Sequence, residues 1–131
     1  MKNIITGVAC FIVLAVFMVQ FTANEVTHSK MLFVENKINA SMEEAKQEGC
    51  ITTAIENALK ADIAAKVKCN QSEVVIAGTK TAVLRGEKIT YSVTYPLKGV
   101  IGARSILGVT DDQATLEHVI AGTVISEYVG R

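Results

Sequence analysis

Charge is missing from the start of this chain: after Lys2 no ionisable acid or base appears until Glu25. Charge of one sign is missing as well, because thirteen basic residues balance thirteen acidic ones and neither sign forms a long block. That balance excludes the basic stripe on which nucleic-acid binding depends. Histidine occurs twice, at positions 28 and 118, and neither has a second His, a Cys or a paired carboxylate at ligand spacing. Cysteine occurs three times without a C-x-x-C, so redox and zinc motifs are both absent. There is no G-x-S-x-G, no Walker-type Gly-Lys-Ser/Thr and no Rossmann glycine pattern. These gaps leave no residue that recommends an enzyme, a cofactor or a metal site. Glu43-Glu44 and Asp111-Asp112 are the acidic pairs, and both read as solvated surface rather than cation sites.

What is present in place of charge is an apolar run, IITGVACFIVLAVFMVQFTA, from Ile4 to Ala23. At about 1.5 Å rise per residue a helix of that length crosses the roughly 30 Å of bilayer hydrocarbon. The competing reading is a cleaved secretory signal, whose apolar core is usually only about 7–15 residues before a small-residue cleavage site. Here the core is longer and ends in Phe21-Thr22-Ala23-Asn24, so a retained transmembrane helix over residues 1–24 is expected. Gly7-Val8-Ala9-Cys10 resembles a lipoprotein processing box only in part, because the apolar core follows the cysteine instead of preceding it. Lipid contact, or assembly through the same surface, falls to Ile4, Ile5, Phe11, Ile12, Leu14, Val16, Phe17 and Phe21. The run has few small residues and no GxxxG, so its bulky side chains suit a filament core or plain lipid contact equally.

Residues 25–131 then form one stalk and head of roughly 105 residues, enough for a single modest core. Long domains translocate largely regardless of their charge, so the short N-terminus is expected in the cytoplasm and the head outside it. From Asn24 to Gln47 there is neither Pro nor Gly, and Val26, Met31, Val34, Ile38, Met42 and Ala45 recur at helical spacing. Charged residues fill the opposite face. With nothing to break the chain at Ala23-Asn24, one continuous helix is predicted from Ile4 to Gln47, stopped by Gly49. A second helix is predicted from Thr52 to Val67, with Ile51, Ala54, Ile55, Ala58, Leu59, Ile63 and Val67 on one face. Thr53 with Glu56 is read as its capping box, and Lys66 with Lys68 sits at its negative end.

Beyond the Asn70-Gln71-Ser72 turn the period changes to two. Strands are predicted at Glu73 to Ala77, Thr81 to Leu84, Lys88 to Tyr95 and Ala114 to Ala121, with Gly78-Thr79 as a turn and Pro96, the only proline, ending the third strand. In that third strand Ile89, Tyr91, Val93 and Tyr95 alternate with Lys88, Thr90, Ser92 and Thr94, which implies one buried face and one wet face. Leu97 to Val109 reads as a packed surface loop, and His118 as an ordinary strand residue. The fold class is α+β: a long N-terminal transmembrane-plus-stalk helix, a second helix and a small antiparallel sheet. Cys50 and Cys69 stand at opposite ends of the second helix, up to roughly 28 Å apart. A disulfide needs its α-carbons within about 7 Å. They are therefore expected as unpaired thiols, unless the segment folds as a hairpin or each bonds to another chain.

Glu48-Gly49, Ala77-Gly78-Thr79, Arg85-Gly86-Glu87-Lys88-Ile89, Thr90-Tyr91-Ser92-Val93-Thr94-Tyr95-Pro96 and Ser126-Glu127-Tyr128, set behind an N-terminal apolar helix, give the chain a layout that resembles pilins and pseudopilins. More narrowly it resembles the TadE-like small membrane-anchored proteins of Tad/Flp pili and conjugation machinery. The resemblance implies a pilin-like fold and a structural role in a surface filament or a secretion or conjugation apparatus. Its partners would be the membrane, further copies of the chain and pilus or secretion assembly proteins. Pilins of these families generally carry a Glu at the fifth mature position. Cleavage after Gly7 would put Ile12 there, and no acidic residue lies between Lys2 and Ala23. An unprocessed, anchored subunit is therefore expected rather than a major pilin, with a non-polymerising membrane-tethered adaptor as the alternative.

Overall fold

The computed structural model describes residues 1–102, 104–110 and 112–130. Its first element, α1, is one helix from Lys2 to Glu48. No proline and no capping residue interrupts its backbone ladder, and the helix runs through Ala23-Asn24 as the sequence requires. Gly49 stops it with φ +78°, a left-handed conformation that costs glycine nothing and other residues about 1–2 kcal/mol. The site would also refuse a side chain, since an added Cβ would sit 2.8 Å from the Val83 carbonyl oxygen and 2.9 Å from Tyr128 Cβ.

Helix α2 spans Thr53–Val67. Its cap is Thr52 rather than Thr53: the Thr52 hydroxyl accepts from the Ile55 backbone N–H at 3.3 Å. The capping box read at Thr53 and Glu56 does not form, because Thr52 has the extended backbone a cap needs, Thr53 is already helical, and the residue three on from Thr52 is Ile55. Glu56 is released for another task. Its carboxylate receives Lys60 Nζ at 2.7 Å and Lys80 Nζ at 2.8 Å, tying the helix to the chain beyond the first strand. The helix buries Ile55, Leu59, Ile63, Ala64 and Val67, while Ala54 and Ala58 stay in solvent. Lys68 closes it in the left-handed region, its N–H donating to the Ala64 carbonyl.

A single 3-10 turn, Gln71–Glu73, leads into β1 (Val75–Gly78), β2 (Lys88–Leu97) and, later, β3 (Leu116–Ile125). They form a three-stranded antiparallel sheet ordered β1-β2-β3, with Val75 opposite Thr94 and Gly78 opposite Tyr91. Gly78 thus belongs to a strand and not to a turn. Pro96 does not end β2. It lies past the last β1 pair, so its missing N–H deprives β1 of no ladder bond, and the strand continues to Leu97. The alternation in β2 holds: Ile89, Val93, Tyr95 and Leu97 are buried, and Tyr91 is half-buried.

Thr81 to Leu84 is not a strand. Its backbone is used singly: the Val83 N–H donates to the Gly49 carbonyl, and the Val83 carbonyl accepts the Ser126 hydroxyl at 2.8 Å. Ser126 is the hub of this corner. It is 1 % exposed, and its backbone exchanges bonds with Gly86 and Glu87 while its Oγ also receives the Tyr128 N–H. The last strand is longer than Ala114 to Ala121 and lies farther along the chain. Gly122 sits within it because the Tyr91 phenol covers that position, 2.5 Å from where a Cβ would be. A four-residue helix, α3 (Arg104–Leu107), stands inside the segment read as a loop.

The chain divides into two compact units, one formed by Met1–Ser29 with Leu97–Leu116 and the other by Lys30–Pro96 with Glu117–Arg131. The second unit holds most of the core. Val34, Ile38, Met42 and Ala45 of α1 are each at most 1 % exposed, and they share burial with the α2 stripe and with Ile76, Ile89, Val93 and Tyr95 of the sheet. Burying each such aliphatic side chain contributes about 1.5–3 kcal/mol. Lys37 and Asp62 bridge α1 and α2 at 2.9 Å, and Phe33 lies under the ammonium of Lys66 at 4.9 Å.

Candidate membrane and assembly surface

A twenty-residue apolar run placed in a helix has two choices: bury its side chains in protein or leave them for another medium. In α1 the second applies. The helix is long and apolar enough to cross a membrane, and nothing in its most apolar window is buried. Of the eight residues singled out in the sequence, Ile4, Ile5, Phe11, Ile12, Leu14, Phe17 and Phe21 are exposed, and only Val16 is half-buried. They point around the whole helix rather than to one side of it. Leu14, Phe17, Met18 and Phe21, with Gln20 and Asn24, line an open concavity of about 510 Å³, overwhelmingly apolar in its walls.

Gln20 is the residue that sequence reasoning passed over. Its carboxamide is fully engaged: Nε2 donates to Asn24 Oδ1 at 2.9 Å and to the Val100 carbonyl at 3.1 Å, and Oε1 accepts the Gly102 N–H at 2.9 Å. The signal in the sequence was the amide itself, a primary carboxamide within twenty residues otherwise free of long polar side chains. Gly102 is held against the helix backbone, where an added Cβ would lie 2.8 Å from the Val19 carbonyl oxygen. The hydroxyls of Thr6, Thr22 and Thr27 return to carbonyls four residues earlier, so they add no polarity to the outer surface.

The titratable residues of the sequence are not gathered into a site. Among the described residues no group of three or more His, Cys, Asp or Glu side chains could hold a metal ion. His118 lies in β3 with its ring edge-on to Tyr95, centroids 5.5 Å apart and planes at 71°. Asp111 lies outside the described residues, and with it the Asp111-Asp112 pair. Cys50 is buried at one end of α2 and Cys69 half-buried at the other, and no disulfide joins them.

Two electrostatic features belong to the second unit. Hydrogen bonds from Lys60 and Lys80 hold the Glu56 carboxyl below the usual carboxylate range. Tyr95, whose hydroxyl is buried without a hydrogen-bond partner among the described residues, is pushed up to about 12, by burial first and by the nearby negative charge of Glu35 second. An orphaned phenol set edge-to-face with a histidine in a core is a packing feature, with no cleft in which to act. A polar concavity of about 450 Å³ lies among Gln47, Glu48, Tyr128, Val129 and Gly130. No family model, no curated protein and no solved structure matches the chain.

Proposed function

We propose that this chain is a membrane-anchored structural subunit of a cell-surface filament or of a secretion or conjugation apparatus. The observation that carries the reading is the division of labour along α1. Its first half leaves bulky apolar side chains open on every side, while its second half supplies Val34, Ile38, Met42 and Ala45 to a folded core. A helix built this way presents a head from a bilayer, or from a bundle of identical helices that replaces the bilayer. The N-terminus lies in the cytoplasm and the head outside it. The TadE-like and pilin-like resemblance points the same way. Because no acidic residue stands between Lys2 and Ala23, the subunit keeps its whole helix and does not use the Glu pairing of major pilins.

That same lack favours a second reading, a tethered adaptor that stays monomeric in lipid. Electron microscopy of the native cell surface and of the purified protein separates the two. Filaments with the apolar helices at their axis establish the subunit, and persistent detergent-soluble monomers establish the adaptor. N-terminal sequencing of the mature protein should begin at Met1 or Lys2. A start at Val8 would overturn the unprocessed anchor.

A further inference from the structure

We infer that the segment from Lys98 to Val109 is a membrane-surface element that rests in the headgroup and upper acyl region of the leaflet facing the head. The inference rests on the reading of α1 as a membrane anchor and adds a second lipid contact to it.

Depth is the first argument. The backbone at Gly102 touches α1 at Val19 and Gln20, positions inside the apolar run and three to four residues short of its end at Ala23. At 1.5 Å per residue that contact lies about 6 Å below the end of the run, within the roughly 5–10 Å at which interfacial elements sit.

Chemistry is the second. Backbone groups at that depth find no water and need partners. Gln20 supplies them to the Val100 carbonyl and the Gly102 N–H, while the Val100 N–H donates to the Ala114 carbonyl, the Val109 N–H to the Arg104 carbonyl and the Ala114 N–H to the Thr110 carbonyl. Each of these groups is met by the segment, its flank or the helix rather than by solvent. Gln20 in turn explains why a carboxamide is tolerated in the run, since all its polar atoms face this segment or Asn24.

Surface is the third. Leu107 is 56 % exposed, and Val100, Ile101 and Val109 are half-covered. Lys98 and Arg104 place two cations in the same stretch, as is common beside a membrane surface. Lipid is therefore the occupant this stretch fits.

The chain contains no tryptophan, so single-Trp variants report position directly. Leu107→Trp, Phe17→Trp and Val129→Trp of the full-length chain are to be reconstituted separately in phosphatidylcholine vesicles carrying acyl chains brominated either near the headgroup or deep in the bilayer. Leu107→Trp should be quenched at least about twofold more than Val129→Trp, and more by shallow bromines than by deep ones, as expected of a side chain at the interface. Quenching of Phe17→Trp together with a Leu107→Trp no more quenched than Val129→Trp overturns this inference and leaves the anchor intact. A blue-shifted Leu107→Trp that bromines do not quench also overturns it, because another protein surface would then cover the site. Failure to quench Phe17→Trp overturns the anchor and this inference with it.

Discussion

Residues 4–23 and residues 34–45 belong to the same helix, both carry Ile, Val and Met, and meet opposite fates. The first stretch buries none of its apolar window, whereas the second buries Val34, Ile38, Met42 and Ala45 almost completely. The separator is what occupies the other face: uncharged residues all round in the first, and Glu35, Lys37, Glu43 and Glu44 in the second. A stripe with a charged back is addressed to protein, and a cylinder without one is addressed to lipid or to its own copies.

The contrast breaks most visibly under truncation. Ile38→Ala should cost the head about 2–5 kcal/mol, because it removes a buried side chain from a packed core. Phe17→Ala should change the same quantity by less than about 0.5 kcal/mol. Denaturant titration of the full chain in detergent micelles, followed by hydrogen exchange at β2 amides, measures both; equal costs would abolish the distinction between the two halves.

Glycines sharpen the contrast at the next level. Gly122→Ala drives a methyl into the Tyr91 ring and should cost about 1–3 kcal/mol. A shortened partner, Tyr91→Leu, should recover part of that loss in a double-mutant cycle. Gly7 has open space around it, so Gly7→Ala should leave the melt of the head unmoved.

Alkaline titration comes third. A phenol held near 12 in the folded chain, against 10.0 in the unfolded one, contributes its full stability below pH 10 and loses it as pH rises from 10 to about 12. The unfolded chain ionises in that window while the folded one does not, at a cost of about 2–3 kcal/mol. Tyr95→Phe should flatten this part of the stability profile without weakening the fold at neutral pH, since its hydroxyl donates to no described residue.

The smallest effect is expected at Glu56, whose lowered pKa contributes stability above the ordinary carboxylate range and loses it as pH falls through that range. Glu56→Gln should cost below about 1 kcal/mol at pH 7, because Lys80 is largely exposed. The variant's acid-side melting profile should be shallower than that of the parent.

Periodicity makes α1, α2 and β2 legible in the sequence, since each carries a long, regular apolar pattern. Thr81 to Leu84 misled because Val83 satisfies its backbone groups through Gly49 and Ser126, partners too distant in sequence for a local pattern to reveal. Pro96 misled because it lies past the end of β1, where its missing N–H takes no bond from that strand and the strand can run on. In the candidate surface the exposed residues of the run followed directly from composition. Gln20 did not, because its partners Val100 and Gly102 lie some eighty residues away. The segment they belong to has no period to announce where it packs.

The rim strand β3 has a practical consequence. It is ten residues long, contains neither lysine nor proline, and turns Val119, Ala121, Thr123 and Ile125 outward. Natural sheets blunt such borders with cations, bulges or short length. Concentrated stocks of this protein should therefore thicken into β-rich precipitate on storage, and Val119→Lys should lengthen their shelf life by making every new strand-to-strand docking meet a like charge.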